Sequence, residues 1–459
     1  MESTKIDILN GSIYNKLPRY ALPIALTGIL EQLFNASDVA IVGNFASMDR
    51  TVAIAAVGAN SPIIGMILNL FIGISLGTNV VIANAIGRKD KKEISKAIYT
   101  SIIMAIIGGI IMVIVVEGII GYLLHLLSVP KEVYPYALIY MRYYLLGMPV
   151  IFLYNFETAV FRSTGDTKTP LLVLIFSGIL NVLLNLFFVI VFKMNVNGVA
   201  IATVIANAIS AIILFCLLIK RNYIISFYDI KLDKYCLKKI LKIGLPAGIQ
   251  SAVFNLANIV IQSAINSLGT EVMAASSAAF NIEMVVYYTF NSFSQACTTF
   301  VGQNYGAKQI KRCKRILGLC LLEDFMISLF LMMMILMFGR SLLGIFNSHP
   351  EVIETGYSRL KLVFLAYLFS MLYEVMSGYL RGFGISFMPA IVTILGVCGV
   401  RILWVYFVFE GSKTFFTLMM VYPVSLALTA ILIFILLIID RPAYRFEKGG
   451  NINERINIE

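Results

Sequence analysis

Glu31, Asn35 and Asp38 stand in a largely apolar stretch, LPIALTGILEQLFNASDVAIVGNF, over residues 22–45. Their i, i+4, i+7 spacing puts them on one face of a helix. A carboxylate at that depth is costly unless it is paired, wet or protonated, so Asp38 is a candidate for holding a proton or a cation. Asn181 and Asn185 repeat the i, i+4 spacing further along the chain, and Thr203 and Asn207 do so again. Together these side chains offer one anionic and several neutral oxygens, the ligand type that suits hard cations. Amides inside helices also serve as interhelical hydrogen-bonding glue, and on the residues alone both uses stay open. Glu283 and Glu374 are two more carboxylates in apolar sequence. Either is placed to attract a cationic substrate or to be neutralised by a neighbouring base. With Glu31, Gln32, Asn35 and Asn255 they make the candidate set for substrate contact. Glu157, Glu117, Arg142 and Arg401 are expected to snorkel or pair.

Other chemistries lack material. There are two histidines, far apart, and six cysteines with no C-x-x-C pair, so neither an imidazole site nor a zinc site is expected. The cysteines read as reduced and buried. Gly73-Ile74-Ser75-Leu76-Gly77 matches a nucleophile elbow in letters, but it falls inside an apolar run rather than at a strand-to-helix turn. Gly411-Ser412-Lys413-Thr414 lacks the upstream glycine of a phosphate-binding loop. No catalytic residues, resident metal or cofactor are expected. Without a nucleotide site, uphill work must draw on an ion gradient, of H⁺ or Na⁺.

The elements that position these residues follow from composition. Of 459 residues, 59% are hydrophobic and 13% charged, with mean hydropathy +0.88; soluble domains carry about 25% charge. Uncharged runs long enough to cross roughly 30 Å of hydrocarbon recur throughout. Twelve spans are expected, near residues 18–43, 52–86, 97–126, 134–161, 170–192, 196–219, 241–265, 271–302, 316–338, 357–380, 388–409 and 414–439. The polar N-terminus shows no signal-peptide pattern. If both termini are inside, 27 of the 36 Lys and Arg residues fall in inside segments and 7 in outside ones, as the positive-inside rule asks. The net charge of +11 thus belongs to membrane orientation and lipid contact, and no nucleic-acid partner is implied. The expected location is the cell membrane, with both termini cytoplasmic.

The chain also repeats itself. YNFETAVFRSTGDTKTP (154–170) answers YEVMSGYLRGFGISFMP (373–389), pairing Tyr154 with Tyr373, Arg162 with Arg381, Gly165 with Gly384 and Pro170 with Pro389. Phe34-Asn35-x-x-Asp38 answers Phe254-Asn255-x-x-Asn258, and Gly87-Arg88-Lys89 answers Gly306-Ala307-Lys308. Six spans per copy give the copies the same orientation, a parallel repeat of the kind transporters use for alternating access. The expected fold is an all-α polytopic membrane protein, twelve transmembrane helices in two parallel-repeat six-helix bundles. The N-lobe is 1–219, the linker 220–240, the C-lobe 241–440 and the cytoplasmic tail 441–459.

The segment from Pro23 through Gln32-x-Phe34-Asn35-x-x-Asp38 to Val42-Gly43, the loop Phe161-Arg162-Ser163-Thr164-Gly165-Asp166-Thr167-Lys168-Thr169-Pro170 and the run Val301-Gly302-Gln303-Asn304-Tyr305-Gly306-Ala307 together resemble the MATE (multidrug and toxic compound extrusion) transporters. The resemblance spans about residues 15–440 and is closer to the DinF- and MepA-like branches than to the NorM-like one, whose seventh-helix acid has no counterpart around Gln250–Asn255. It implies cation-coupled export of organic cations and drugs by a membrane protein, expected as a monomer. It also implies an N-lobe cation site at Asp38, Asn181, Asn185 and Thr203. Asn185 stands where the family commonly has Asp, which leaves one carboxylate and favours H⁺ over Na⁺. The alternative within transport is a flippase or exporter of an amphipathic or lipid-linked metabolite. A channel or an intramembrane enzyme is the alternative of another class.

Overall fold

In a computed structural model, residues 5–127, 129–221, 223 and 231–447 are described. Among them the regular structure is helical throughout. The elements are α1 (Leu17–Phe45), α2 (Arg50–Gly87), α3 (Lys91–Leu126), α4 (Tyr134–Leu146), α5 (Met148–Ser163), α6 (Lys168–Leu186), α7 (Val196–Lys220), α8 (Lys234–Asn266), α9 (Thr270–Gly306), α10 (Ile310–Phe346) and α11 (Pro350–Gly382). α6 runs on through a π-helical turn, Phe187–Val191. The next span consists of α12 (Phe387–Thr393), α13 (Val400–Trp404) and α14 (Glu410–Ser412), joined by π-helical stretches at Ile394–Gly399 and Val405–Phe409. The last consists of α15 (Phe415–Met419), α16 (Val421–Asp440) and α17 (Pro442–Glu447).

Nine of the described helical segments are long and apolar enough to cross a membrane, or up to ten if the bent pair α4–α5, which turns by 51°, is one span. The two segments left over are α1 and α9. They are long enough, but Glu31, Gln32, Asn35 and Asp38 in α1, and Asn281, Glu283, Asn291 and Gln295 in α9, lower their hydropathy. With these two the chain fits a twelve-helix bundle. Large apolar side chains stay exposed along the lipid-facing helices, for example Ile107, Ile111 and Ile114 on α3 and Tyr406 and Phe407 beyond α13. Such exposure suits hydrocarbon and not water.

Two compact units are present. Of the described residues, unit 1 holds Lys5 and those within 26–82 and 91–241; unit 2 holds those within 6–25, 83–90 and 242–447. Much of the segment read as a linker, and residues 448–459 of the tail, lie outside the described residues. α8 starts at Lys234, inside the segment read as linker. Five of the six cysteines are buried and Cys216 is exposed, all as free thiols.

The internal repeat is written into the backbone. Lys89 and Lys308 both have φ of 59°, and Lys193 and Lys413 have φ of 52° and 47°. These are left-handed turns where helices stop. Gly165 and Gly384 share φ values of 91° and 85°, a region that glycine enters without Cβ strain. In both copies this glycine's N–H donates to the arginine three residues back, Gly165 to Arg162 O (3.0 Å) and Gly384 to Arg381 O (2.8 Å). The separation of 219 residues at Pro170/Pro389 becomes 220 at Lys193/Lys413. The π-helical stretch Ile394–Gly399, absent from α6, absorbs the extra residue. Within unit 2 the end of α2 crosses the end of α9 so closely that a Cβ on Gly306 would come 2.1 Å from Asn84 O.

Candidate functional site

In unit 1, α1, α6 and α7 bring Asp38, Asn181, Asn185 and Thr203 together. The Asn185 Nδ2 donates to Asp38 Oδ1 (2.5 Å) and to Asn181 Oδ1 (3.3 Å). The Thr203 hydroxyl lies 3.1 Å from Asp38 Oδ2 and 3.0 Å from the Val199 carbonyl, and Asn181 Nδ2 donates to Thr203 Oγ1 (3.3 Å). Asp38 and Asn181 are each 6% exposed and Asn185 is fully buried. The amide spacing on α6 is what points Asn185 at the carboxylate and Asn181 at the Thr203 hydroxyl and the Asn185 amide that surround it. Gly178, one turn before Asn181, lets the Phe34 ring lie against α6; a Cβ there would sit 1.9 Å from that ring. That close approach fixes the register of α1 against α6 and so places Asp38.

The Thr203 hydroxyl has one proton and two acceptors within reach. With Asp38 ionised, the hydroxyl donates to Oδ2. With Asp38 protonated on Oδ2, the carboxyl donates to Thr203 Oγ1, and the hydroxyl turns to Val199 O. The Asp38–Thr203 hydrogen bond is kept in either state by one hydroxyl rotation, and the bond to Val199 O is made only when the carboxyl is protonated. Asn185 Oδ1 is a buried oxygen with no hydrogen-bond partner among the described residues.

The other candidate residues are not gathered there. Glu31 and Gln32 are half-buried on α1, and Asn35 is exposed. Asn207 Nδ2 donates to the Thr203 carbonyl (2.9 Å), within its own helix. Asn255, on α8 in unit 2, likewise donates to its own helix at Ser251 O (3.2 Å). Glu283 is fully engaged by Arg359, whose Nε and Nη2 donate to its two oxygens at 2.7 and 3.0 Å, both side chains being at most 3% exposed. Glu374 faces Arg381 at 3.5 Å.

Several buried ionisable groups escaped the sequence reading. Glu157 is not a snorkelling side chain: it is fully buried and neither carboxylate oxygen has a hydrogen-bond partner among the described residues. Glu323 and Asp324 are buried on α10, where Ser328 donates to Asp324 Oδ1 (2.9 Å). Their signal was present, two adjacent acids inside LCLLEDFMISLF. Glu117 and Arg142 do pair, at 2.7 Å. Arg401, expected to pair or snorkel, does neither. It is 2% exposed, and no carboxylate is ion-paired with it among the described residues. Outside the membrane, burial raises the Asp166 carboxyl, but hydrogen bonds from Arg221 and Thr169 outweigh it and hold the group below its ordinary value. Among the described residues no three His, Cys, Asp or Glu side chains are grouped to hold a metal.

The MatE family model matches twice in succession, over residues 23–187 and 246–407, once in each copy of the repeat. The chain is 25% identical over 433 residues to "Probable multidrug resistance protein YoeA" of Bacillus subtilis (strain 168), covering 92% of this chain and 93% of that protein. It is 26% identical over 354 residues to a "FAD transporter" of Shewanella oneidensis, covering 76% and 77%. Among solved structures it resembles the outward-facing conformation of a multidrug resistance MATE family transporter of the MOP superfamily. The TM-score there is 0.86 at 22% identity, over 97% of this chain and 99% of that one.

Proposed function

The chain belongs to the MatE family and is a multi-pass membrane transporter of the multidrug-efflux type rather than an enzyme; from that premise we propose that it exchanges H⁺ for organic cations or amphipathic small molecules, with Asp38 as the coupling group. Exporting a monovalent cation against an inside-negative potential costs about 2.3 kcal/mol per 100 mV. Exchange for one inward proton cancels that term. The observation that carries this reading is the Asp38–Thr203–Val199 arrangement, in which the carboxyl gains or loses a proton and keeps its hydrogen bond to Thr203, the hydroxyl turning to Val199 O when the carboxyl is protonated. Dehydrating Na⁺ asks for several inward-facing oxygens. Here the Asn185 nitrogen, rather than its oxygen, faces the carboxylate. The orphaned Asn185 Oδ1 is the one feature that favours Na⁺. The same reading puts the protein in the cell membrane as a monomer with both termini cytoplasmic, supported by the basic excess in the segments that would then lie inside.

A second substrate class has its own support. The relative described as a FAD transporter favours export of an amphipathic metabolite as the alternative cargo on the same machinery.

Asp38→Asn tests the coupling role. The amide preserves shape and can keep hydrogen bonds, so thermal stability in detergent should change by about 1 kcal/mol or less. Efflux from proteoliposomes driven by an imposed pH gradient should fall to the background of protein-free vesicles. A folded Asp38→Asn protein that still pumps at the wild-type rate removes Asp38 from the mechanism.

A further inference from the structure

We propose that unit 2 carries an anion site, built on Arg401 and Asn258 at the place where the repeat's other copy builds its cation site. The correspondence is residue by residue. Asp38 and Asn258 are 220 positions apart, and so are Asn181 and Arg401 once the extra π-helical residue is passed. In unit 1 the carboxylate on α1 is met by the α6 amide of Asn185, one turn beyond Asn181 and hydrogen-bonded to it. In unit 2 an amide on α8 is met by a guanidinium on α13, with Arg401 Nη1 donating to Asn258 Oδ1 (3.0 Å). The polarity of the site is inverted, and a fixed cation stands where a coupling cation would otherwise bind.

Among the described residues that cation has no ion-paired carboxylate. Arg401 Nε is buried with no acceptor among the described residues. Its guanidinium lies 5.0 Å from the Phe254 ring centroid and 4.6 Å from that of Tyr422; cation–π contacts soften such a charge without neutralising it. Arg359, 5.6 Å from the centroid of the same tyrosine, shows the contrast, because Glu283 matches its charge fully. Glu374 shares the neighbours Tyr287 and Tyr373 with Arg401 but is turned to Arg381. A buried guanidinium with an idle N–H is a donor for an oxyanion, and intramembrane ionisable groups left in this state mark ligand pathways. Asn258 and Phe254 are half-buried, so α8 is the side from which a ligand approaches. The ligand class is an oxyanion, either the acidic group of an amphiphile or a free inorganic ion. Only the first of these rests on the transporter reading.

The protein's single tryptophan reports on the site. Trp404 follows Arg401 by one turn of α13, with its indole N–H donating to Thr417 O (2.9 Å). Inorganic phosphate titrated into the purified full chain in detergent should change Trp404 fluorescence saturably and raise the unfolding temperature. The same titration on Arg401→Gln sets the ionic-strength baseline and should lose the saturable part. Asn258→Asp supplies the missing carboxylate, so it should raise thermal stability and weaken phosphate binding by about tenfold or more, and it tests the site even if Arg401→Gln fails to fold. Wild-type and Asn258→Asp proteins that respond to phosphate alike overturn the proposal, as does a wild-type response equal to that of a folded Arg401→Gln protein. An alkyl phosphate that displaces inorganic phosphate at much lower concentration assigns the site to an amphiphile. Equal potency assigns it to the inorganic ion. Neither outcome depends on proton coupling, so a failure here leaves Asp38 untouched and a failure at Asp38 leaves the anion site standing.

Discussion

The two copies of the repeat share a backbone and differ in how they settle buried charge. Unit 1 surrounds one carboxylate with neutral donors, so that Asp38 can change its state without any other group moving far. Unit 2 settles two of its buried carboxylates by matching charge with charge, Glu283 to Arg359 and Glu374 to Arg381, while Arg401, Glu323 and Asp324 lie outside those pairs. The first arrangement suits a group that must titrate or exchange a ligand. The second is rigid, because an ion pair buried in low dielectric is expensive to separate. On the proposed reading the first arrangement is a switch, and the two ion pairs of the other half are a frame.

The largest effect should come from breaking the frame. Glu283→Gln leaves Arg359 buried against an amide and should cost about 3–5 kcal/mol of stability, read as thermal unfolding in detergent. Replacing both residues by methionine should recover most of the loss, since neither charge is then left alone. A Glu283→Gln protein as stable as the wild type, with only its substrate range altered, would return Glu283 to the substrate site.

Asn185→Asp should alter the switch without breaking it. The variant puts a second carboxylate 2.5 Å from where Asn185 Nδ2 now donates to Asp38. Two acids so close must share a proton or hold a cation between them. Na⁺-driven efflux should rise by about tenfold relative to H⁺-driven efflux, measured with each gradient imposed separately on proteoliposomes. An unchanged ratio would mean that the asparagine at this position does not set ion choice.

Most of the fold was legible because membrane helices announce themselves by composition and because the repeat doubles each signal. The site in unit 1 was legible for a related reason. Its members sit at i, i+4 spacings in apolar runs, where a polar face has few uses, and the family resemblance narrowed those uses. Pairing across helices was not legible. The tenth span was placed from residue 357, which left Arg359 at its edge, but α11 starts at Pro350 and carries Arg359 more than two turns inside, opposite Glu283. The proline at the helix start was the available cue. Arg401 was misread for the opposite reason. It lies plainly inside a span, and only the one-residue shift made by the π-helical stretch reveals that it occupies the place of Asn181.

The smallest effect expected concerns acid. The membrane-edge contacts differ between the copies in the same sense as the buried ones, at positions that correspond. In unit 1, Glu93 binds Lys239 (3.0 Å) and Asp233 binds Lys96 (2.7 Å), tying the start of α8 to α3 through carboxylates. In unit 2 the counterpart of Glu93 is Arg312, which donates to Asn304 Oδ1 (2.9 Å) and to the carbonyls of Gly11 (3.1 Å) and Ile8 (3.2 Å). Those acceptors do not titrate. The hydrogen bond from Lys96, helped by the Cys236 backbone N–H, pulls the Asp233 carboxyl down to about 2. A depressed value in the folded state means that the contact contributes fully above the ordinary carboxyl range near 3.9. The contribution declines as pH falls from there and is gone near 2. The contact is exposed, so salt should weaken it. Hydrogen exchange, corrected for intrinsic rates, should therefore show protection around residues 233–239 falling between pH 5 and pH 3, and the fall should be smaller at high salt. Protection around residues 304–313, which include Arg312 and its acceptor Asn304 and contain no Asp or Glu, should hold over the same range. Equal loss in both segments would mean that acid acts on the bundle as a whole, and that the carboxylate clamps of unit 1 have no separate effect.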